Sequence, residues 1–248
     1  MPPPVEPIPP KLTSTASLIN HFREAIARWQ STRNSLGEGV VSTGCPPWDA
    51  LLPGGGLRRG SLVEWLADGD GTGRQTLSLH VARQACQDGG IVIVLDPERN
   101  LFPPAVFHSG IPPEALLVVQ PSNPAEHLWA LEQSLRCRAV AAVLAGLDKL
   151  DPLVFRRLQV AAEQGGTLGL LFRPEGVRHE PTWAEVRFWV EPRPGGLAAR
   201  RRVQIEVLRL RGGSAGGCIE LEIDDETGTV HLACPMAHPT AAYRAARA

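Results

Sequence analysis

One short stretch of the sequence has the residue types and spacing of a phosphate-binding loop. It reads DGDGTGRQT at positions 68–76 and follows the apolar run SLVEWLA at 61–67. A working loop of the form GxxxxGK[ST] holds phosphates on main-chain N–H groups, contacts the β- and γ-phosphates through its lysine, and binds Mg²⁺ through its hydroxyl. The stretch therefore raises the question of whether this protein binds a nucleoside triphosphate.

The residues that carry the chemistry of such a loop are replaced. With the sequence aligned on Gly73, Asp68 stands in place of the first glycine and Arg74 in place of the lysine. Gln75 stands where a hydroxyl would bind Mg²⁺, and an amide does not reproduce that ligand on a small octahedral ion. The degenerate nucleotide-binding set is Gly71, Gly73, Arg74, Gln75 and Thr76.

Each replacement has a physical consequence for phosphate binding. Asp68 and Asp70 add negative charge where a polyphosphate would settle. Arg74 can neutralise phosphate, but its planar guanidinium has a different shape from a lysine ammonium. We expect a loop that keeps strand-to-helix geometry without efficient ATP hydrolysis, and we expect neither ATP nor a metal as a cofactor. The alternative is that Arg74 has replaced the lysine in function.

A carboxylate that could orient water follows the next apolar run. The run IVIVLD at 91–96 is followed by Pro97 and Glu98. A positioned carboxylate near the γ-phosphate orients the attacking water in a nucleoside triphosphatase. Glu98 is therefore the candidate catalytic residue if the protein is an ATPase. A local ion pair with Arg99 or a helix cap explains it equally well, and this second interpretation is the one we favour.

Basic and aromatic residues of the second half form a candidate DNA-binding set. Phosphates attract clustered arginines, and an exposed aromatic ring stacks on unpaired bases. The period of two in a strand places Arg209 and Arg211 on one face. The alternative is a solvated basic face. The set comprises Arg173, Arg178, Trp183, Arg200, Arg201, Arg202, Arg209 and Arg211.

Composition and motif searches exclude several other functions. The chain of 248 residues has a formal net charge of −1, which argues against a strongly basic nucleic-acid binder. Its histidines form no HxH, HxxxH or HExxH arrangement and its five cysteines no CxxC, so metal ligation has no support. No GxSxG nucleophile elbow occurs. The hydrolase classes that depend on these motifs are disfavoured.

The middle of the chain alternates apolar runs with helical patterns. Continuous runs such as IVIVLD and AVAAVLAGL are typical of strands covered on both faces, and helical stretches separate them. This alternation predicts an α/β fold with a mostly parallel sheet flanked by helices. The last third contains strand patterns joined by turns, so we expect antiparallel strands added at the C-terminal edge of the sheet.

The ends of the chain are predicted to be appendages. We divide the sequence into a proline-rich segment at 1–12, an amphipathic helix and linker at 13–36, a core domain at 37–235 and a tail at 236–248. The helix repeats apolar residues at helical spacing. It packs either on its own domain or on a partner. The candidate partner-docking residues are Leu18, Phe22, Ile26 and Trp29.

Positions 42–121 resemble the core of RecA-like proteins. The phrase STGCPPWDALLPGGGLRRGSLVE precedes the loop, and Asp96, Pro97 and Glu98 match the acidic D-x-E element that follows it. The resemblance continues more weakly to about residue 235. It departs at Ala145, where the second acidic strand end has no carboxylate, and in EGVRHEPTWAE at 175–185, which stands in place of a long DNA-binding loop.

A shortened RecA-like protein with an eroded nucleotide site is similar to the ImuA family. That resemblance implies a RecA-like core and a noncatalytic role in damage-induced translesion DNA synthesis. It also implies an ImuB-type polymerase-like adaptor as partner, with DNA, RecA and self-association as further partners. Arg209 and Arg211 would match two basic residues that reach a nucleotide across a subunit interface.

Two alternatives remain open at this point. A RecA-like, DNA-dependent ATPase with an irregular loop would show DNA-stimulated turnover, and a SulA-like cell-division inhibitor would bind the tubulin homologue FtsZ. The start MPPPVEPIPP lacks the pattern of a signal peptide, and no run is long and apolar enough to span a bilayer. We therefore expect a cytoplasmic protein, with nucleoid association as a further option, and no membrane contact.

Overall fold

The computed structural model describes residues 39–194 and 200–233. The predicted segments at 1–12 and 13–36, including the candidate docking residues Leu18, Phe22, Ile26 and Trp29, lie outside the described residues, as does the predicted tail at 236–248. The strands are β1 (Val40–Val41), β2 (Leu57–Arg58), β3 (Leu62–Ala67), β4 (Ile91–Leu95), β5 (Leu116–Val119), β6 (Val140–Gly146), β7 (Leu168–Pro174), β8 (Val186–Arg193), β9 (Arg200–Leu210), β10 (Cys218–Asp224) and β11 (Val230–Leu232). The helices are α1 (Pro46–Asp49), α2 (Arg74–Cys86), α3 (Pro103–His108), α4 (Pro124–Arg136) and α5 (Pro152–Gly165).

Local sequence signals set the ends of the longer helices. The Asn123 side chain accepts a hydrogen bond from the Glu126 N–H at the start of α4, and Asp151 accepts from the Leu153 N–H at the start of α5. Both helices then begin with proline, whose missing N–H costs nothing in the first turn. Gly166 ends α5 in the left-handed conformation. Helix α3 was not predicted from the sequence.

The main sheet contains nine of the described strands in the order β11-β10-β9-β8-β3-β7-β6-β4-β5. The six strands from β8 to β5 pair with one another in parallel, and the pairs β8–β9, β9–β10 and β10–β11 are antiparallel. This arrangement confirms the predicted parallel sheet with antiparallel strands at its C-terminal edge. Of the strands in the last third, β8 differs from β9, β10 and β11 because it pairs in parallel with β3.

Two buried clusters lie on opposite faces of the sheet. On one face, Leu77 and Val81 of α2 pack against the strands, beside the rings of Trp48, Trp65 and Phe188. The other face is covered by α4 and α5, whose apolar side chains form a second cluster with β4 and β6. The result is a three-layer α/β arrangement in which the central strands are buried on both sides.

The phrase that precedes the loop has a structural role. Asp49 accepts hydrogen bonds from the Thr43 N–H at 2.7 Å and from the Ser42 hydroxyl at 2.5 Å. Gly60 has φ of +73°, and a Cβ there would lie 3.2 Å from the Ala162 carbonyl oxygen. The short sheet of β1 and β2 is thus anchored to α1, and the chain entering β3 passes close to the end of α5.

The two ends of the parallel strands define two edges of the molecule. The carboxyl edge contains the residues that follow β3, β4, β6 and β7, and the amino edge contains those that precede them. Because β9 is antiparallel to β8, Arg202 pairs with Arg193 at the carboxyl edge, whereas Leu210 pairs with Val186 at the amino edge. The phosphate-loop residues lie at the carboxyl edge.

Candidate functional site

The loop between β3 and α2 retains the backbone of a strand–loop–helix junction. Gly69, Gly71 and Gly73 all have positive φ, between 72° and 91°, a conformation that side chains disfavour. Gly73 is the N-cap of α2, and a Cβ there would lie 2.8 Å from Cγ1 of Val203 on β9. The chain path therefore favours glycine at all three positions, and at Gly73 packing against β9 requires it as well.

The guanidinium of Arg74 is held by the protein itself. Its Nη1 donates a hydrogen bond to the Arg173 carbonyl oxygen at 3.0 Å, and its Nη2 lies 3.8 Å from Oδ1 of Asp70. The side chain is 15% exposed and lies near the Phe172 ring. Burial lowers the pKa of Arg74, and the Asp70 charge opposes that shift. With only 15% of the side chain exposed, little of the guanidinium is open to a phosphate.

The hydroxyl and acidic side chains of the loop either face solvent or contact a neighbouring strand. Gln75 is exposed, and the Thr76 hydroxyl accepts from Nη2 of Arg201 at 3.4 Å. The Asp70 side chain is 97% exposed, and Asp68 is exposed as well. The loop thus presents two carboxylates to solvent at the position where a polyphosphate would need positive charge.

The acidic strand end after β4 stabilises a turn. Asp96 is buried and accepts hydrogen bonds from the Asn100 and Leu101 N–H groups. Glu98 is exposed and accepts from Nδ2 of Asn100 at 2.9 Å. From the sequence we expected Glu98 to pair with Arg99 or to cap a helix. In the structure its carboxylate instead accepts a hydrogen bond from the Asn100 amide.

The second strand end lacks a carboxylate in the position that would support Mg²⁺. Ala145 is buried near the end of β6, and Asp148 is exposed in the segment beyond it. No group of three or more potential metal ligands occurs within residues 39–194 and 200–233.

Sequence reasoning missed a buried charge network beneath the carboxyl edge. Glu64, in the middle of β3, is 0% exposed and accepts hydrogen bonds from Nη1 of Arg173 at 3.1 Å and Nε of Arg187 at 2.7 Å. The Thr182 hydroxyl donates to the same carboxylate at 2.7 Å. The signal in the sequence was the single glutamate within the apolar run SLVEWLA. A strand that is buried on both faces tolerates such a charge only when it is paired.

This network fixes the segment 175–185 against the sheet. Nη1 of Arg187 donates to the carbonyl oxygens of Arg178 and Glu180, at 3.0 and 2.9 Å. Val177, in the same segment, is buried. Buried contacts therefore hold the segment that stands in place of a long DNA-binding loop. Arg187, which makes two of these contacts, also binds Glu64.

Two of the predicted DNA-binding residues are buried in ion pairs. Arg173 is 3% exposed and bound to Glu64, and burial lowers its pKa while the Glu64 charge opposes that shift. Arg202 is 9% exposed and donates to Glu222 at 2.6 and 2.8 Å. Because both side chains are buried, we remove Arg173 and Arg202 from the predicted DNA-binding surface.

The predicted residues of segment 175–185 have partners of their own. The Arg178 guanidinium lies 4.6 Å from the centre of the Trp189 ring and 3.2 Å from Oε2 of Glu206. Trp183 is 43% exposed, and the Arg156 guanidinium lies 4.9 Å from the centre of its ring. One face of Trp183 is thus already occupied by a cation.

The remaining basic candidates are separated between the two edges. Arg200 and Arg201 lie at the carboxyl edge beside the phosphate loop, and both are exposed. Arg209 and Arg211 are exposed at the amino edge. Strand β9 ends at Leu210, so the period of two applies to Arg209 only and Arg211 lies in the following turn. The structure does not bring the predicted set together on one surface.

Two cavities adjoin the N-terminus of α2. The larger, about 410 Å³, lies beside Thr76, Phe102 and Asp225. The smaller, about 230 Å³, lies between Gly71 and the start of β9. Arg201 contributes to both. The described part of the chain contains no helix long and apolar enough to cross a membrane.

Comparisons with known proteins agree with this architecture. The model of the RecA N-terminal domain matches residues 17–158. The protein ImuA of Caulobacter vibrioides (strain NA1000 / CB15N) is 32% identical over 200 residues, which cover 73% of this chain and 82% of the relative. The protein RecA of Clostridium botulinum (strain Eklund 17B / Type B) is 31% identical over 135 residues, 54% of this chain and 37% of that protein.

A solved structure supports the fold independently. The crystal structure of the RadB recombinase superposes with a TM-score of 0.60 at 17% sequence identity and covers 78% of this chain and 100% of that one. At this level of identity the likeness concerns the fold alone. The predicted α/β class with a RecA-like core is therefore confirmed.

Proposed function

This chain belongs to the ImuA family of RecA-like proteins, and from that premise we propose that it is a noncatalytic accessory protein of damage-induced translesion DNA synthesis. In this role it binds an ImuB-type polymerase-like adaptor and contributes no ATP hydrolysis. The observation that supports the noncatalytic part is the mostly buried side chain of Arg74, the cation of the phosphate loop, which donates one hydrogen bond to the Arg173 carbonyl.

The electrostatics of the loop support the same proposal. Asp68 and Asp70 are exposed at the loop, and a triphosphate placed there without Mg²⁺ would bring like charges together. A catalytic phosphate loop does the opposite, because it surrounds the phosphates with N–H groups, a cation and a metal ion. The glycines of the loop serve the chain path and the packing of Gly73 on Val203.

Calorimetric titration of Mg-ATP into the purified protein tests the noncatalytic part. We expect no saturable heat, because Arg74 is engaged and the metal-binding hydroxyl is missing. A RecA protein titrated under the same conditions is the positive control. Saturable binding that is lost in Arg74→Ala, together with DNA-stimulated turnover that is lost in Glu98→Gln, would contradict the proposal and favour a RecA-like ATPase.

Capture of a purified ImuB-type adaptor tests the partner. The full chain and a version lacking residues 1–36 are compared, because the sequence predicts an amphipathic helix there. We expect capture by the full chain. Weaker capture after truncation assigns the contact to that segment, and undiminished capture assigns it to the core. Absence of capture with binding of FtsZ instead would favour a SulA-like inhibitor and overturn the proposal.

A further inference from the structure

The larger cavity beside the N-terminus of α2 has apolar walls and an exposed aromatic ring in its lining. Its volume is about 410 Å³, and Leu79 of α2, Pro104 of α3 and Ile223 of β10 contribute apolar surface to it. Phe102, which also lines the cavity, is 67% exposed. A cavity of this size can hold a large side chain, because pockets for small organic ligands begin at about 300 Å³. Covering the Phe102 ring would remove apolar surface from water, which is favourable.

Two walls of this cavity are in direct contact with each other. Nε2 of His108, in α3, donates a hydrogen bond to the Asp225 carbonyl oxygen at 2.9 Å. Gly228, in the turn between β10 and β11, has φ of +66°, and a Cβ there would lie 2.7 Å from the His108 carbonyl oxygen. Because these contacts join α3 to the turn, the cavity has its shape before anything binds in it.

The turn after β10 contains an unpaired carboxylate beside the cavity. Asp224 and Asp225 line the cavity, and each contacts an arginine. Nε of Arg200 lies 3.4 Å from Oδ2 of Asp224, and Arg201 binds the Asp225 carboxylate at 2.7–2.9 Å. Glu226, the next residue, is exposed, and among the described residues its carboxylate forms no ion pair. A negative charge therefore remains beside the cavity after these two pairs have formed.

A second carboxylate of this kind lies in the turn that leads to Phe102. Glu98 is four residues before Phe102 in the chain and is exposed. Its carboxylate accepts only from the amide of Asn100, a neutral group, among the described residues. A ligand with an apolar ring and positive charges next to it would therefore match both the lining of the cavity and its surroundings.

The chain contains a segment of this chemistry directly after β11. Residues 234–248 follow the last described residue and read CPMAHPTAAYRAARA, a stretch without aspartate or glutamate. Arg244 and Arg247 carry positive charge, and Tyr243 is the only tyrosine of the chain. The segment thus combines an aromatic ring with two nearby guanidinium groups.

The point at which this segment leaves the described fold lies near the cavity. The Ala233 N–H donates to the Glu220 carbonyl oxygen at 2.9 Å, so the segment begins beside β10. Glu220 and Ile223 are three residues apart on that strand, a distance of about 10 Å. Tyr243 is ten residues beyond Ala233, and ten extended residues reach about 33 Å. The segment is therefore long enough to turn back and place Tyr243 in the cavity.

We propose that residues 234–248 of the same chain bind in this cavity. The Tyr243 ring packs against Phe102, since aromatic rings attract each other in offset and edge-on geometries. The two arginines of the segment face the unpaired carboxylates of the neighbouring turns. Because Thr76 of α2 lines the same cavity, the bound segment covers the N-terminal turn of α2 beside the phosphate loop. The inference goes beyond the accessory role proposed above and depends on neither adaptor binding nor the absence of ATP hydrolysis.

Fluorine NMR of the full chain tests this contact, because a ring-fluorinated tyrosine enters the protein at Tyr243 alone. We expect its resonance to differ from that of the urea-unfolded protein. In Phe102→Ala the resonance should return to the unfolded position, because the contact is removed. Phe107→Ala is the matched control: Phe107 lies in α3 and is 40% exposed but does not line the cavity, so the resonance should keep its position. Thermal melts check that both variants fold.

The outcomes separate the alternatives. A resonance at the unfolded position in the unaltered protein, or an equal change in both variants, would overturn the proposal. A displacement that disappears on dilution would assign the contact to the cavity of a second copy and overturn binding within one chain. The double variant Arg244→Gln, Arg247→Gln should move the resonance part of the way to the unfolded position, because it removes the attraction to the carboxylates. An unchanged resonance in that variant would refute the role of charge.

Discussion

The buried carboxylate of Glu64 provides the sharpest test of how this fold is stabilised. The isosteric change Glu64→Gln removes its charge while preserving its volume. It leaves the guanidinium groups of Arg173 and Arg187, whose side chains are 3% and 4% exposed, without their shared counter-ion. Burial prevents water from replacing the lost charge, so the two cations must either remain uncompensated or pull the surrounding segment open.

The magnitude follows from the burial of all three groups. Removing one partner of a buried ion pair costs about 3–5 kcal/mol, because the remaining charge is left uncompensated. For a chain of this size each kcal/mol lowers the melting temperature by about 2–4 °C, so we expect a fall of about 6–20 °C. The measurement is urea unfolding followed by circular dichroism, together with a thermal melt.

Glu132 on α4 offers a matched control. Its carboxylate also contacts two arginines, Arg136 and Arg157, both at 2.8 Å. Those arginines are 43% and 55% exposed, so water can solvate them after Glu132→Gln. A loss below about 1 kcal/mol is expected there. If Glu64→Gln costs no more than Glu132→Gln, the reasoning from burial is refuted.

Three further predictions concern the loop and the buried histidines. Arg74→Met removes the bond to the β7 main chain and should lower the free energy of unfolding by about 1.5–3 kcal/mol, and an unchanged value would show that the bond is absent in solution. Gly73→Ala and Gly71→Ala both incur the cost of positive φ, about 1–3 kcal/mol, but Gly73→Ala should lose more because its Cβ would meet Val203; equal losses in urea unfolding would contradict the packing. Burial lowers the pKa of His80 and His127, so unfolded histidines take up protons near pH 6.5 while the folded rings stay neutral, and stability should fall as pH drops through about 6.5. Urea midpoints between about pH 7.5 and 5.5 should change less in a His80→Gln, His127→Gln variant, and an equal change would refute this cause.

The loop between β3 and α2 keeps the backbone of a phosphate-binding frame while several of its side chains differ from that motif. Glycine remains at the positions where the backbone has positive φ, because those positions serve the strand-to-helix turn. Arg74 remains basic, but its guanidinium now joins α2 to the end of β7. If nucleotide binding has been lost as we propose, the retained residues are explained by the stability of the junction.

Several features of the fold could be predicted because they depend on local pattern. The apolar runs that became β3, β4 and β6 identified strands covered on both faces, and Asn123 and Asp151 are helix caps of standard type. Helix α3 was missed because it is only six residues long and begins with two prolines. The parallel pairing of β8 was missed because neighbours in a sheet are decided by long-range contacts.

The sequence by itself determined the α/β class, the antiparallel extension and the loss of the lysine and hydroxyl from the phosphate loop. These follow from residue type and periodicity, which act over a few residues. Only the tertiary structure decided which arginines are available to a ligand. Arg173 and Arg202 look like exposed basic residues in the sequence, yet distant carboxylates neutralise them in the fold. The physical reason is that the availability of a charge depends on burial and on partners that the chain brings together from far along the sequence.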